Sequence, residues 1–257
     1  MKYKIVFFDV DGTITNHEDG SISESTKEAI KALIGKGLKV VVATGRPLSM
    51  CNEIKALGID TFITANGAYV KQNKKIIHKV PMDKRIVQEM VEFAYAENNG
   101  LSFYTEDYSM NGVKNDNILK ALRETLSLEE YPTINQQVYN SEIFLMCLFA
   151  NDEMVEKYIK RFPHLTFKRW HPYILNVLEK DISKSLAINK VLEYFNIDKS
   201  EALAFGDGEN DIDMLELVGL GIAMGNGNKK LKMVADFVTK KSSEDGIYFA
   251  LKKYGIL

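Results

Sequence analysis

Ile5, Val6, Phe7, Phe8 and Val10 form an apolar run of the β-branched and aromatic types that covered strands favour. Next, Ser23 or Ser25 can cap a helix reaching about Lys36, with Ala29, Ile30, Leu33 and Ile34 at helical spacing and Gly37 as its stop. "LKVVVATG" reads as a second buried strand, a helix is predicted over about 48–57, and "TFITA" reads as a third strand. Strand, helix, strand, helix, strand predicts right-handed βαβ units and a parallel sheet. From about Gly67 the texture changes: "GAYVKQNKKIIHKV" alternates and turns like a hairpin, as if a new module opens, and Pro81 breaks the run.

Residues from about Met82 to Pro172 mix longer helical patterns with the strands "LSFYTE", "EIFLMCLFA" and "LTFKRW", without the earlier rhythm. The rhythm returns with a helix over 183–195, the strand "ALAFGD", a helix over 210–217, the strand "GLGIAM" and a closing helix. The expected fold is α/β, a doubly wound, Rossmann-like parallel-sheet core over 1–81 and 182–257, interrupted by an α+β insertion over 82–181. There is no internal repeat and no low-complexity segment.

Composition narrows the function. A chain of 257 residues with 46% hydrophobic and 26% charged residues and a net charge of −2 carries no electrostatic footprint for nucleic acid or an anionic membrane. Cys51 and Cys147 stand far apart and outside any C-x-x-C pair, which argues against a disulfide framework and a cysteine zinc site. No stretch approaches the roughly 18 apolar residues of a membrane helix, and strand pattern begins at once. A soluble, cytoplasmic protein is expected, with no nucleic-acid or membrane partner; nothing fixes its oligomeric state.

The chemistry gathers where strands end. "DVDGT" at 9–13, "TGR" at 44–46, "SKS" around Lys184 and "GDGEND" at 206–211 all fall at the carboxyl ends of expected core strands or just before a core helix, where open α/β sheets bind ligands. They offer Asp9, Asp11, Asp207, Asp211, the Thr44 hydroxyl, the Lys184 ammonium and several glycines. Residues i and i+2 of a strand share a face, so Asp9 and Asp11 are expected side by side, repelling unless a cation intervenes. Oxygen-only ligands select a hard cation, and Mg²⁺, which binds through few carboxylates plus substrate phosphate, is the expected one. Each stretch alone is an ordinary turn or cap; their conjunction points to a single phosphate-plus-metal site.

With these motifs the sequence resembles the haloacid dehalogenase superfamily, in its Cof-type phosphatase branch with a large cap inserted after the second motif. "DVDGT", Thr44 in "ATGR", Lys184, "GDGENDIDM", "NGA" at 66–68 and "AMGNG" at 223–227 carry the resemblance over essentially the whole chain. It implies a Mg²⁺-dependent phosphomonoesterase acting on a small phosphorylated metabolite, a sugar phosphate above others, through an aspartyl-phosphate. Asp9 would be the nucleophile and Asp11 the general acid and then base. Thr44 and Lys184 would hold phosphoryl oxygens, with Gly45, Arg46 and Asn210 as further phosphate contacts. Mg²⁺ would sit on Asp9, Asp207 and the Asp11 backbone carbonyl, with Asp211 orienting that shell. The cap would close over the substrate and exclude water. Ser185, where glycine is common, and Asn176, where an acid is often found, depart from the branch pattern and bear on substrate preference.

Two other functions compete: a phosphohexomutase of the same superfamily, and a non-catalytic phosphometabolite-binding regulator, against which intact Asp9, Asp11, Lys184 and Asp207 argue. "GLGIAMGNG" lacks dinucleotide spacing, and His17, His78, His164 and His171 lack ligand spacing. Phe167, Trp170 and Tyr173 in the insertion are read as core rather than as a substrate platform.

Overall fold

The computed structural model describes residues 2–126, 128–132, 134 and 136–257. The first part runs β1 (Ile5–Phe8), α1 (Glu24–Gly35), β2 (Lys39–Ala43), α2 (Asn52–Lys55), β3 (Thr61–Thr64), β4 (Tyr69–Gln72) and β5 (Lys75–Lys79). Ser23 caps α1 by accepting from the Thr26 N–H at 3.2 Å, and the chain leaves the helix through Gly37 at φ +81°. The middle part runs α3 (Lys84–Ala96), β6 (Gly100–Tyr104), β7 (Tyr108–Met110), α4 (Asp116–Leu126), β8 (Leu145–Phe149), α5 (Asp152–Arg161), β9 (Leu165–His171) and β10 (Ile174–Glu179). The last part runs α6 (Lys184–Phe195), β11 (Ala202–Gly206), α7 (Ile212–Leu217), β12 (Leu220–Ala223), α8 (Lys229–Val234), β13 (Phe237–Val238) and α9 (Gly246–Lys253).

Two compact units result, one of Met1–Arg46, Cys51–Lys79 and Ser183–Leu257, the other of Val80–Ile182 with Pro47–Met50. The first holds a sheet in the order β13-β12-β11-β1-β2-β3-β4-β5. It is parallel from β13 to β3, and β4 and β5 are antiparallel additions at one edge. The segment after Gly67 therefore completes the core sheet instead of opening a new module.

β1 is central, and both of its faces are covered. Ile5 and Phe7 pack with Ile188 and Val191 of α6 and Met214 of α7, and Phe8 stacks on Phe205 of β11 with ring centroids 5.0 Å apart. Burial on both faces is why the strand reads as one apolar run rather than an alternation. Truncating Phe7 to alanine in such a core costs about 3–5 kcal/mol.

The second unit is an antiparallel sheet in the order β7-β6-β8-β10-β9, with α3 and α5 packed through Met90, Ala94, Val155 and Tyr158 onto Leu101, Phe103, Met146, Leu148, Leu175 and Val177. Phe167 joins this core as expected, whereas Trp170 is 47% exposed and donates its indole N–H to Asn176 Oδ1 at 2.9 Å. Among the described residues no helix is long and apolar enough to cross a membrane.

Two helices are shorter than the periodicity predicts. Residues 48–57 give a tight turn, Leu48–Cys51, before α2, and Ser49 in that turn donates its N–H to the Glu106 carbonyl at 2.9 Å, within the second unit. The helix expected from 210 begins at Ile212, because Glu209–Asp211 form a separate tight turn folded around the Asp211 carboxylate.

Candidate active site

β1 ends at Phe8, and Asp9 is held at its tip by an N–H donated to the Phe205 carbonyl at 2.9 Å. The chain then winds through a wide turn, Val10–Ile14, with Gly12 at φ +79°. The strand ends at Phe8 and this turn replaces its period, so the two acids meet different surroundings, while the Asp11 charge still acts on Asp9. Asp9 is buried, while the Asp11 side chain is 63% exposed and ion-paired with Arg46, whose Nη2 lies 2.6 Å from Oδ1.

The cation beside Asp9 is Lys184. It stands in the first turn of α6, which Ser183 caps by accepting from the Leu186 N–H at 3.2 Å. Its Nζ donates to Asp9 Oδ1 and to Asp211 Oδ1, both at 2.6 Å. The other Asp211 oxygen, Oδ2, accepts the N–H groups of Asp207 (3.0 Å) and Gly208 (2.9 Å). Asp207, at the end of β11, receives a further hydrogen bond at 3.2 Å from Asn226 Nδ2, which also donates to the Gly12 carbonyl at 2.8 Å.

One carboxylate oxygen from each of Asp9, Asp207 and Asp211 lies within 4.8 Å of the other two. The Lys184 ammonium faces these acids. Burial, and then the Asp211 charge, push the Asp9 carboxyl well above its ordinary value. The same two causes push Asp207 up to about 7. For Lys184, burial opposes the charged form, but the Asp211 and Asp9 carboxylates outweigh it and its pKa rises. All three shifts point to an excess of negative charge in a dry site.

This donor set fits a hard divalent cation. Every donor is a carboxylate oxygen, the charge is under-neutralised, and Asp211 is occupied by Lys184 and two backbone N–H groups, which leaves Asp9 and Asp207 to reach an ion. Gly12 preserves the space, since a Cβ there would run into Asp207 Oδ2.

The remaining sequence-derived residues gather on two neighbouring loops. Thr44 is fully buried, and its Oγ1 accepts the Arg46 N–H at 3.1 Å. Its carbonyl accepts the Asn66 N–H at 3.0 Å. Asn210 Nδ2 donates to Asn66 Oδ1 at 3.1 Å, and Gly45 lies so near the Asn66 amide that a Cβ would stand 3.3 Å from Oδ1. Asn66 and Asn226 tie three of the four motif loops together, those of Gly12, Thr44 and Asp207, and local pattern marks them as turn asparagines, Asn66 at φ +54° before Gly67 and Asn226 before Gly227, inside the "NGA" and "AMGNG" stretches that carry the resemblance.

The chain belongs to the family of haloacid dehalogenase-like hydrolases, whose model matches residues 6–251, and its relatives place it among the phosphatases there. YkrA of Bacillus subtilis (strain 168), provisionally named a phosphatase, is 38% identical over 261 residues spanning all of both chains. A hypothetical protein from Geobacillus kaustophilus HTA426 superposes with a TM-score of 0.92 at 36% identity, over 99% of this chain and all of that one. The subclass IIB sugar phosphatase BT4131 of the same superfamily superposes with a TM-score of 0.86 at 34% identity, with the same coverage.

Proposed function

We propose that this chain is a Mg²⁺-dependent phosphomonoesterase that hydrolyses a small phosphorylated metabolite, of the sugar phosphate class, through an aspartyl-phosphate. The observation that carries the proposal is the buried bridge of Lys184 between Asp9 and Asp211, with Asp207 beside it. Asp9, oriented at the tip of a rigid strand, attacks phosphorus, and the bond to the leaving alcohol oxygen breaks, dividing one hard displacement into two easier ones. Asp11 gives its proton to the departing oxygen and then takes one from the water that cleaves the acyl phosphate. Lys184, the Thr44 hydroxyl and backbone N–H groups of the Gly45 and Asn210 loops hold phosphoryl oxygens. A Mg²⁺ held by Asp9, Asp207 and the Asp11 backbone carbonyl would offset the repulsion between a carboxylate and a phosphate dianion.

The sugar phosphate class is supported by the likeness to BT4131, a named sugar phosphatase. Cys51 and Cys147 are buried thiols rather than disulfide halves, which supports action in a reducing cytoplasm. The test is phosphate release over a broad panel of phosphometabolites, with and without Mg²⁺, for the parent chain and Asp9→Asn. Mg²⁺-dependent release that Asp9→Asn abolishes is expected. Transfer of phosphate between hydroxyls of one sugar, needing a bisphosphate activator and giving no net release, would overturn hydrolysis in favour of a mutase.

A further inference from the structure

The two acids of "DVDGT" are held by different cations, and the second has a built support. Arg46 Nη2 donates to Asp11 Oδ1 at 2.6 Å, and Nε lies 3.2 Å from each Asp11 oxygen. The opposite amino group, Nη1, lies 3.5 Å from Glu53 Oε1 on α2. Arg46 keeps only 24% of its side chain exposed, although Asp11 and Glu53 are more than half exposed. A planar guanidinium fork fixes the rotation of a carboxylate as well as its place, which an ammonium cannot do.

We infer that Arg46 is a positioning residue for Asp11 and that Glu53 holds Arg46 to that task, so the pair aims the acid–base carboxylate instead of gripping phosphate. The inference rests on reading Asp11 as the acid–base group, and it reassigns Arg46 from the phosphate contact implied by the family resemblance. A phosphate would have to compete with Asp11 for Nε and Nη2 and with Glu53 for Nη1. Glu53 would also spend part of the positive charge that a phosphate dianion would draw upon. Held in place, Asp11 meets the leaving oxygen, and later the water, along one direction. Loss of that aim falls on proton transfer, and so on alkyl phosphates in both half-reactions but on p-nitrophenyl phosphate only in the second.

The test uses the full chain with Mg²⁺ and the variants Arg46→Lys and Glu53→Gln, with p-nitrophenyl phosphate, glycerol phosphate and inorganic phosphate as probes. For Arg46→Lys, turnover of glycerol phosphate and hydrolysis of the phosphoenzyme should fall about 10- to 100-fold. The burst rate of p-nitrophenol release and inhibition by inorganic phosphate should stay within about twofold of the parent. Glu53→Gln should show the same pattern at about two- to fivefold, and a Glu53→Gln indistinguishable from the parent would overturn the role given to Glu53. An active parent whose Arg46→Lys form binds inorganic phosphate about tenfold or more weakly and loses the burst rate would overturn the positioning role alone. A parent that releases phosphate from neither ester would overturn the phosphatase reading, and this inference with it.

Discussion

The Lys184 ammonium lies 2.6 Å from Asp9 Oδ1, with side-chain exposures of 1% and 8%. The two halves of this pair are not equivalent. Lys184→Met would leave the neighbouring carboxylates with no cation in a dry site, and stranding the partners of a buried pair costs about 3–5 kcal/mol. Asp9→Asn leaves Lys184 its bond to Asp211 and removes one of the repelling charges. Urea unfolding in EDTA should therefore show Lys184→Met far less stable than Asp9→Asn, although both should be inactive. Equal midpoints would show that the lysine is not what keeps the acids together.

Asp207, raised to about 7 by burial first and Asp211 second, couples stability to pH in a defined direction. Its unfolded value is near 3.9, so between about pH 4 and 7 the folded chain holds the extra proton. That contribution is complete below pH 4 and is lost as pH rises through 7. The stability of Asp207→Asn relative to the parent, measured by urea unfolding in EDTA, should thus grow from pH 4 to 7 and level off. Mg²⁺ competes with the same proton, so its affinity for the parent should rise over the same window. A stability difference that stays flat with pH would refute the shift.

Gly12 combines a left-handed backbone with a close approach to Asp207. Gly12→Ala should lose about 1–2 kcal/mol to backbone strain and weaken Mg²⁺ about 10- to 100-fold by displacing that carboxylate. Gly20, at φ +73° with nothing near its missing Cβ, is the control. Gly20→Ala should show the strain alone, with Mg²⁺ titration unchanged in calorimetry.

Asp11→Thr separates the half-reactions. An aryl phosphate needs little acid help to leave, whereas hydrolysis of the aspartyl-phosphate always needs activated water. With p-nitrophenyl phosphate this variant should give a burst of p-nitrophenol and a hydroxylamine-labile phosphate on the protein. Its steady-state rate should fall about 10²- to 10⁴-fold. Slow turnover with neither burst nor label would remove Asp11 from the water-activating role.

The legible parts of this molecule are those written in short-range pattern. The βαβ rhythm, the Ser23 cap and the strand-end positions of Asp9, Thr44 and Asp207 follow from periodicity and turn chemistry within a few residues. The different surroundings of Asp9 and Asp11 were not legible, because the strand pattern gives way after Phe8 to a turn that Gly12 makes possible. The partners of the asparagines were illegible for a different reason. Asn226 reaches Gly12 across 214 positions and Asn210 reaches Asn66 across 144, and no local pattern encodes such partners. Arg46 was read through its motif, and its grip on Asp11 emerged only when the side chains were placed.

The central place of β1 has a consequence for how the chain is made. Ile5 pairs on one side with Lys39 and on the other with Ala202, 197 residues further on. At roughly 5–20 residues per second, a ribosome delivers that second partner about ten to forty seconds after the first strand has emerged. During that interval one edge of this wholly apolar strand presents open N–H and C=O groups, a template for pairing with other chains. Lys184 and Asp207 also arrive late, so Asp9 spends the same interval without the groups that surround it in the finished protein. Synthesis speed and chaperone supply, more than the final stability of the fold, should then govern how much active protein a cell recovers.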